Sequence, residues 1–381
     1  MINLNNMYKR IIENKIKEQF FKGKAIFILG PRQVGKSFLS TQITDGIKNK
    51  KIKFFNCDNP SDREVLNNKN LNFLKTLVSE YEIIVIDEAQ KVITIGQTLK
   101  LLVDFYKNKK QFLITGSSTI NLLDNTEETM AGRKIIFKLY SLSIEEIIKD
   151  DLELKKNLGN LLIYGSYPEV VSSEGIDSKV LLLRELMSSY LYRDILEFQD
   201  IKNSNLIFNL LKALALQIGQ EVSYNELSKL LGIDKKTVEK YIDLLEKSFV
   251  VFSLCPYYNN KRNSISKLRK IYFYDLGMRN CIINNFNDLE SRNDVGQLFE
   301  NFCILERLKY RDYNSIYSNQ YFWRNYNGVE VDLIEDRGSE LYSYEFKFNK
   351  NNSTKPKAFI DDYKPKEFNT ITKEKLKGFI F

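Results

Sequence analysis

Ala25-Ile26-Phe27-Ile28-Leu29-Gly30-Pro31-Arg32-Gln33-Val34-Gly35-Lys36-Ser37 sets an apolar pentapeptide directly before a glycine-punctuated octapeptide ending in Lys-Ser. The pentapeptide predicts a buried strand, and the octapeptide, of the form GxxxxGKS, predicts a phosphate-binding P-loop running into a helix. Glycines at Gly30 and Gly35 let the backbone turn tightly enough to aim successive N–H groups at a β-phosphate. Lys36 has the reach and charge for the β/γ oxygens, and the Ser37 hydroxyl suits Mg²⁺. Pro31, Arg32, Gln33 and Val34 complete the expected nucleotide-binding loop.

Ile83-Ile84-Val85-Ile86-Asp87-Glu88-Ala89-Gln90 reads as a second buried parallel strand delivering two carboxylates at its carboxyl end, a Walker B element. Asp87 is expected to face the Mg²⁺ held with Ser37, and Glu88 to polarise a water at the γ-phosphate; the bland alternative is a solvated acidic turn. A third strand, Gln111 to Thr115, runs into Gly116-Ser117-Ser118. The Ser117 hydroxyl is expected to act as a γ-phosphate or water sensor, the alternative being a plain Gly-Ser turn.

Composition narrows the chemistry. The 381 residues are too many for one core and imply two or three domains. Histidine is absent. That removes His general bases, Ser/His/Asp and Cys/His pairs and most zinc chemistry, leaving carboxylates, Lys, Arg and Mg²⁺. Cys57, Cys255, Cys281 and Cys303 stand singly, without a zinc or disulfide pattern. The net charge of +8 permits nucleic-acid contact without demanding it. No apolar run approaches the roughly 18 residues of a membrane span. The start Met1-Ile2-Asn3-Leu4-Asn5-Asn6 lacks a signal-peptide pattern, so a cytoplasmic protein without membrane contact is expected.

The fold class expected is α/β, in four parts. Residues 1–144 form a doubly wound P-loop NTPase core, opening with a helix over Lys9–Phe21 and closing with a strand over Lys134–Leu139 and a capping box at Ser143 and Glu146. Residues 145–205 form a helical lid; within it Tyr192-Arg193-Asp194-Ile195 offers either a phosphate-seeking cation or a surface ion pair. Residues 206–285 read as a winged helix with Lys235, Lys236 and Lys240 on the would-be recognition helix and Lys261, Arg262, Lys267, Arg269 and Lys270 in the wing. DNA readout and an inter-domain or oligomer contact are both open there. Residues 286–381 form an α+β domain whose helix from Val295 to Tyr310 carries Glu300. A hairpin follows, with Asp332 on one strand and Glu345 and Lys347 on the other. Asp332 and Glu345 suit a Mg²⁺ ion and Lys347 a water, the alternative being an exposed charged hairpin.

Asp332 followed by Glu345-x-Lys347, with the upstream helical Glu300, resembles the PD-(D/E)xK nuclease superfamily. In the order Gly30–Ser37, Ile86–Gln90, Thr115–Ser118, Ala131-Gly132-Arg133, Gly165–Glu169, Tyr192–Ile195 and the Glu300 set, the chain resembles prokaryotic AAA-superfamily P-loop ATPases of the AAA 14 type that end in DUF4143. The resemblance implies ATP binding and hydrolysis, and a restriction-endonuclease-like C-terminal domain. It also singles out Arg133 as an arginine meeting γ-phosphate charge, from a neighbouring subunit or otherwise, with a plain salt bridge as the alternative. Ser166 departs from it, standing where a second glycine is expected. Three functions follow. The first is a Mg²⁺-dependent ATPase whose nucleotide state repositions the winged helix and nuclease-like domain, on DNA in one reading. The second is a nucleotide-gated switch that binds protein, and the third an ATP-controlled metal-dependent nuclease. A homo-oligomer or a protein partner is compatible with each.

Overall fold

The computed structural model describes residues 8–67, 70–117, 129–189, 204–258, 268–338, 340–349 and 355–380. Ser118, Tyr192, Arg193, Asp194, Ile195, Lys261, Arg262 and Lys267 lie outside the described residues. Two compact units make up the chain, Met1–Ser141 with Lys247–Phe249, and Leu142–Glu246 with Val250–Phe381. Among the described residues no helix is long and apolar enough to cross a membrane.

In the first unit, helix α1 (Ile12–Lys17) precedes strand β1 (Ala25–Leu29), α2 (Lys36–Asp45), β2 (Ile52–Asn56), α3 (Pro60–Leu66), α4 (Leu71–Val78), β3 (Ile83–Asp87), α5 (Ile95–Tyr106), β4 (Gln111–Gly116) and β5 (Lys134–Lys138). The first helix is shorter than the Lys9–Phe21 span expected. The five strands pair only in parallel, in the order β2-β3-β4-β1-β5. Strands β1 and β4 are buried along their whole length, as uninterrupted apolar runs in the middle of a parallel sheet should be. Because all strands run one way, the carboxyl ends of β3, β4 and β1 share one edge, where α/β sheets place ligands.

The second unit opens with α6 (Ile144–Ile147), then α7 (Asp151–Tyr164), α8 (Pro168–Ser172), α9 (Ile176–Ser189), α10 (Ser204–Leu216), β6 (Glu221–Val222), α11 (Tyr224–Leu231), α12 (Lys235–Lys247), β7 (Val251–Pro256) and β8 (Arg269–Phe273). It continues through α13 (Leu276–Ile282), α14 (Val295–Asn314), β9 (Asn319–Arg324), β10 (Glu330–Asp336), β11 (Leu341–Phe346), α15 (Lys357–Tyr363), β12 (Glu367–Ile371) and α16 (Lys377–Ile380). Ser143 N–H donates to Glu146 Oε2 at 3.0 Å, but the helix this opens lasts a single turn. The hairpin β7–β8 is not free-standing. Strand β7 pairs in parallel with β9 through Cys255 and Tyr321, giving one seven-stranded sheet, β12-β11-β10-β9-β7-β8-β6, on both sides of residue 285.

Buried polar side chains tie this unit together. Lys309 is fully buried and donates to Leu142 O (2.9 Å), Ser166 Oγ (3.3 Å) and Glu306 Oε1 (2.7 Å). Ile144 N–H donates to Glu306 Oε2 at 2.8 Å. The serine at 166 therefore has work a glycine has no atom for. Its own N–H donates to Asp275 Oδ2 at 2.8 Å, and burial pushes the Asp275 carboxyl up to about 6 in spite of the backbone N–H groups aimed at it.

Helix α14 is fastened to β8 through Asn301, fully buried, whose side chain accepts from Phe273 N–H at 2.7 Å and donates to Phe273 O at 2.9 Å. Asn301→Ala leaves two buried backbone groups unpaired and is expected to cost about 3 kcal/mol. Urea unfolding followed through Trp323, the single tryptophan and a residue of β9, measures that loss; a change under about 1 kcal/mol contradicts it.

Candidate functional site

The turn out of β1 requires glycine at its first position. A Cβ on Gly30 would stand 1.9 Å from Leu139 O, in the space that lets Leu139 N–H reach Leu29 O at 2.7 Å. Further on, Gln33 (φ 56°) and Gly35 (φ 92°) are left-handed on either side of Val34, and Gly35 caps the amino end of α2. Alternating handedness of this kind turns backbone N–H groups toward one concavity, and the helix dipole adds to it. Lys36 is buried and folds back over the loop, its ammonium donating to Gly30 O (3.0 Å) and Pro31 O (2.6 Å).

Strands β3 and β4 bring the other groups to this edge. Ser37 Oγ lies 2.8 Å from both Asp87 carboxylate oxygens. Thr115 Oγ1 donates to Asp87 Oδ1 and accepts from Glu88 N–H at 3.2 Å. Glu88 itself sits in the left-handed region at φ 53°, a conformation that costs about 1 kcal/mol or more for a residue with a Cβ. Gln90 Nε2 donates to Glu88 Oε2 (2.6 Å) and to Ser117 Oγ (2.9 Å), with Ser117 Oγ 3.5 Å from Glu88 Oε2. The structure thus gathers Gly30–Ser37, Asp87, Glu88 and Ser117 at one sheet edge.

Sequence reasoning assigned no role to Thr115, Gln90 or Arg10. Arg10, buried, donates through its two terminal nitrogens to Val34 O and Tyr140 O, each at 2.7 Å, and so braces the loop from behind. The Thr115 hydroxyl in a buried apolar strand, and an amide two residues after the paired acids, were the available signals. Burial, followed by the acidic groups around it, Asp87 and Glu88 among them, pushes the Cys57 thiol up to about 12, so it stays a neutral core group.

Arg133 is placed elsewhere. Its carbonyl accepts from Ala25 N–H at the start of β1, a strand length of roughly 16 Å from the loop. Its guanidinium pairs with Asp104 at 2.5 Å. The β1–β5 register sets it at the edge of the sheet opposite the Gly30–Ser37 loop.

In the second unit, Glu300, Asp332, Glu345 and Lys347 do line one cleft, of about 1000 Å³. Asp332 Oδ2 accepts from Phe346 N–H at 2.8 Å, and Lys347 Nζ bridges to Glu345 Oε1 at 2.7 Å. Burial above all, then Glu300 and Glu345, pushes the Asp332 carboxyl well above the usual carboxylate range. Lys270, expected on an exposed wing, is instead 1% exposed, its ammonium on Glu300 Oε1 (3.1 Å) and Glu330 Oε2 (3.0 Å). It follows Arg269 in a strand whose last four residues are all buried. Among the described residues no three carboxylates or thiols are gathered closely enough to grip a metal ion. Lys235, Lys236 and Lys240 are exposed on α12.

Residues 22–148 match the model of the AAA domain family. The first unit carries an AAA domain. Residues 295–375 match a domain of unknown function, DUF4143, and residues 155–289 another, DUF8612. Beyond these domains, the chain is 24% identical over 335 residues to the uncharacterized protein Rv2008c of Mycobacterium tuberculosis, covering 87% of this chain and 72% of that one. It is 25% identical over 362 residues to an uncharacterized protein of Haemophilus influenzae, covering 90% and 85%. Among solved structures, AMPPCP-bound DnaA from Aquifex aeolicus aligns over 62% of this chain and 86% of its own at 16% identity and a TM-score of 0.30. The Drosophila ORC bound to AT-rich DNA and Cdc6 aligns over 72% and 92% at 9% identity and a TM-score of 0.27. Neither superposition reaches a TM-score of 0.5.

Proposed function

We propose that the AAA domain binds ATP and hydrolyses it with Mg²⁺. The observation that carries this reading is the contact of Ser37 Oγ with both Asp87 oxygens at 2.8 Å, at the foot of a left-handed, lysine-bearing loop. A hydroxyl and a carboxylate side by side are hard oxygen donors, the set Mg²⁺ selects, so Ser37 and Asp87 would hold the ion. An ion held there would supply charge neutralisation for the triphosphate. Loop N–H groups and the Lys36 ammonium orient the triphosphate. The Lys36 donors now on Gly30 O and Pro31 O are the ones that would turn to phosphate. Glu88 orients the attacking water, and Ser117, linked to it through Gln90, senses the γ-phosphate.

Arg133 has no part in this chain's own site; a role for it requires a second copy. DNA contact by residues 206–285 has Lys235, Lys236 and Lys240 in its favour and the burial of Lys270 on Glu300 and Glu330 against it. The assignment of Glu88 is tested by Glu88→Gln, which keeps size and hydrogen bonding while removing the base. Turnover is expected to fall about 10²–10⁴-fold with ATP affinity within a few-fold of wild type. Unchanged turnover in steady-state phosphate release removes Glu88 from the mechanism.

A further inference from the structure

The cleft carboxylates of the second unit are matched to a cation the chain itself provides. Strand β8 lies between β7 and β6 in the sheet and is bonded to α14 through Asn301, and Lys270 on it, 1% exposed, reaches Glu300 Oε1 at 3.1 Å and Glu330 Oε2 at 3.0 Å. The same ammonium lies 5.5 Å from the centre of the Phe322 ring, so its positive charge is met on three sides. Tyr272, two residues along and on the same face of the strand, donates its hydroxyl to Glu300 Oε1 at 2.7 Å. Glu330 also holds Arg324 Nε at 3.3 Å. Asp332 is taken by Phe346 N–H, and one oxygen of Glu345 by Lys347. Each of the four carboxylates has a protein donor, and the one buried oxygen among them without a hydrogen-bond partner is Glu345 Oε2.

A divalent ion demands the opposite arrangement, with several oxygens free and converging. An ammonium buried against two carboxylates is the alternative, since neither partner is tolerated there alone. We propose that Lys270 is the resident cation of this cluster, its ammonium neutralising Glu300 and Glu330 beside the Asp332 and Glu345 to which the sequence assigns Mg²⁺, and that the four carboxylates form a metal-free site while it is present. The fit of the cluster to a metal-dependent nuclease fails at this residue. The inference is independent of ATP binding by the AAA domain.

The test uses the full-length chain without nucleotide and Mn²⁺ as the probe, with bound ion counted from the loss of the free-Mn²⁺ resonance. Wild type and Asp332→Asn are expected to bind Mn²⁺ alike. Lys270→Met is expected to take up Mn²⁺ at least tenfold more tightly than wild type, and Lys270→Met combined with Asp332→Asn is expected to lose that gain. Wild-type binding that Asp332→Asn abolishes overturns the proposal, as does a folded Lys270→Met that binds no better than wild type. Should Lys270→Met fail to fold, the comparison of wild type with Asp332→Asn still decides.

Discussion

Lys36→Ala is expected to lower ATP turnover by about two to three orders of magnitude, the usual consequence of deleting one donor aimed at developing charge. Lys36 is the first residue of α2 and is 4% exposed, so its stem is fixed by packing and its ammonium is confined to the loop. Alanine keeps the helix and its dipole but removes the formal charge facing the triphosphate. Two loop carbonyls, Gly30 O and Pro31 O, also lose their donor. That loss costs roughly 1–3 kcal/mol of stability, well short of unfolding, so the kinetic defect is measurable on folded protein. Steady-state phosphate release checks it, and turnover within threefold of wild type contradicts it.

The largest stability loss is expected at Arg307→Met. Arg307 on α14 meets Glu335 with two parallel bonds, Nε to Oε1 at 2.8 Å and a terminal nitrogen to Oε2 at 3.1 Å, and it also donates to Phe379 O. Glu335 is fully buried, and its remaining close partner is Arg337 at 2.8 Å, with Arg311 Nε 4.0 Å away. Removing Arg307 takes two of its bonds from a fully buried carboxylate and leaves it Arg337 as its one close cation, at a cost of about 3–5 kcal/mol and roughly 10 °C in Tm. Burial opposes ionisation of Glu335, but Arg307 and Arg337 outweigh it and hold the carboxyl below its ordinary value. Stability from a depressed carboxylate is present above the unfolded value, about 4.3, and is lost as pH falls through the folded one. The gap between wild type and variant is therefore widest at neutral pH and narrows below about pH 4. Urea unfolding at both pH values, read through Trp323, checks both statements. A loss under about 1 kcal/mol at pH 7 contradicts the pairing.

What could be read from residues alone was whatever depends on neighbours in the chain. Ala25–Leu29 and Ile83–Asp87 are continuous apolar runs because a parallel strand is covered on both faces, and Gly30 and Gly35 are glycines because the turn has no room or no other allowed conformation there. Asp332, Glu345 and Lys347 came together because a hairpin register is local. Residues whose placement depends on distant partners were read in part or not at all. Lys270 looks like a surface cation until Glu300 and Glu330, thirty and sixty positions on, are packed against it. Arg133 precedes a strand, and only the pairing of that strand with β1 tells which edge of the sheet it marks. Arg10 braces a loop carbonyl 24 residues away, a contact with no periodicity to announce it. Strand β7 joining β9 is likewise a pairing between segments separated by a strand and two helices, invisible to any short window.

The central claim is that the Gly30–Ser37 loop, with Asp87, grips Mg²⁺ and a triphosphate. Calorimetric titration of a non-hydrolysable ATP analogue with Mg²⁺ into folded wild-type protein tests it most directly, with Lys36→Ala as the reference. Saturable binding at one site per chain, weakened at least tenfold in Lys36→Ala, is the expected result; no heat from the wild type, or equal binding by both proteins, contradicts it.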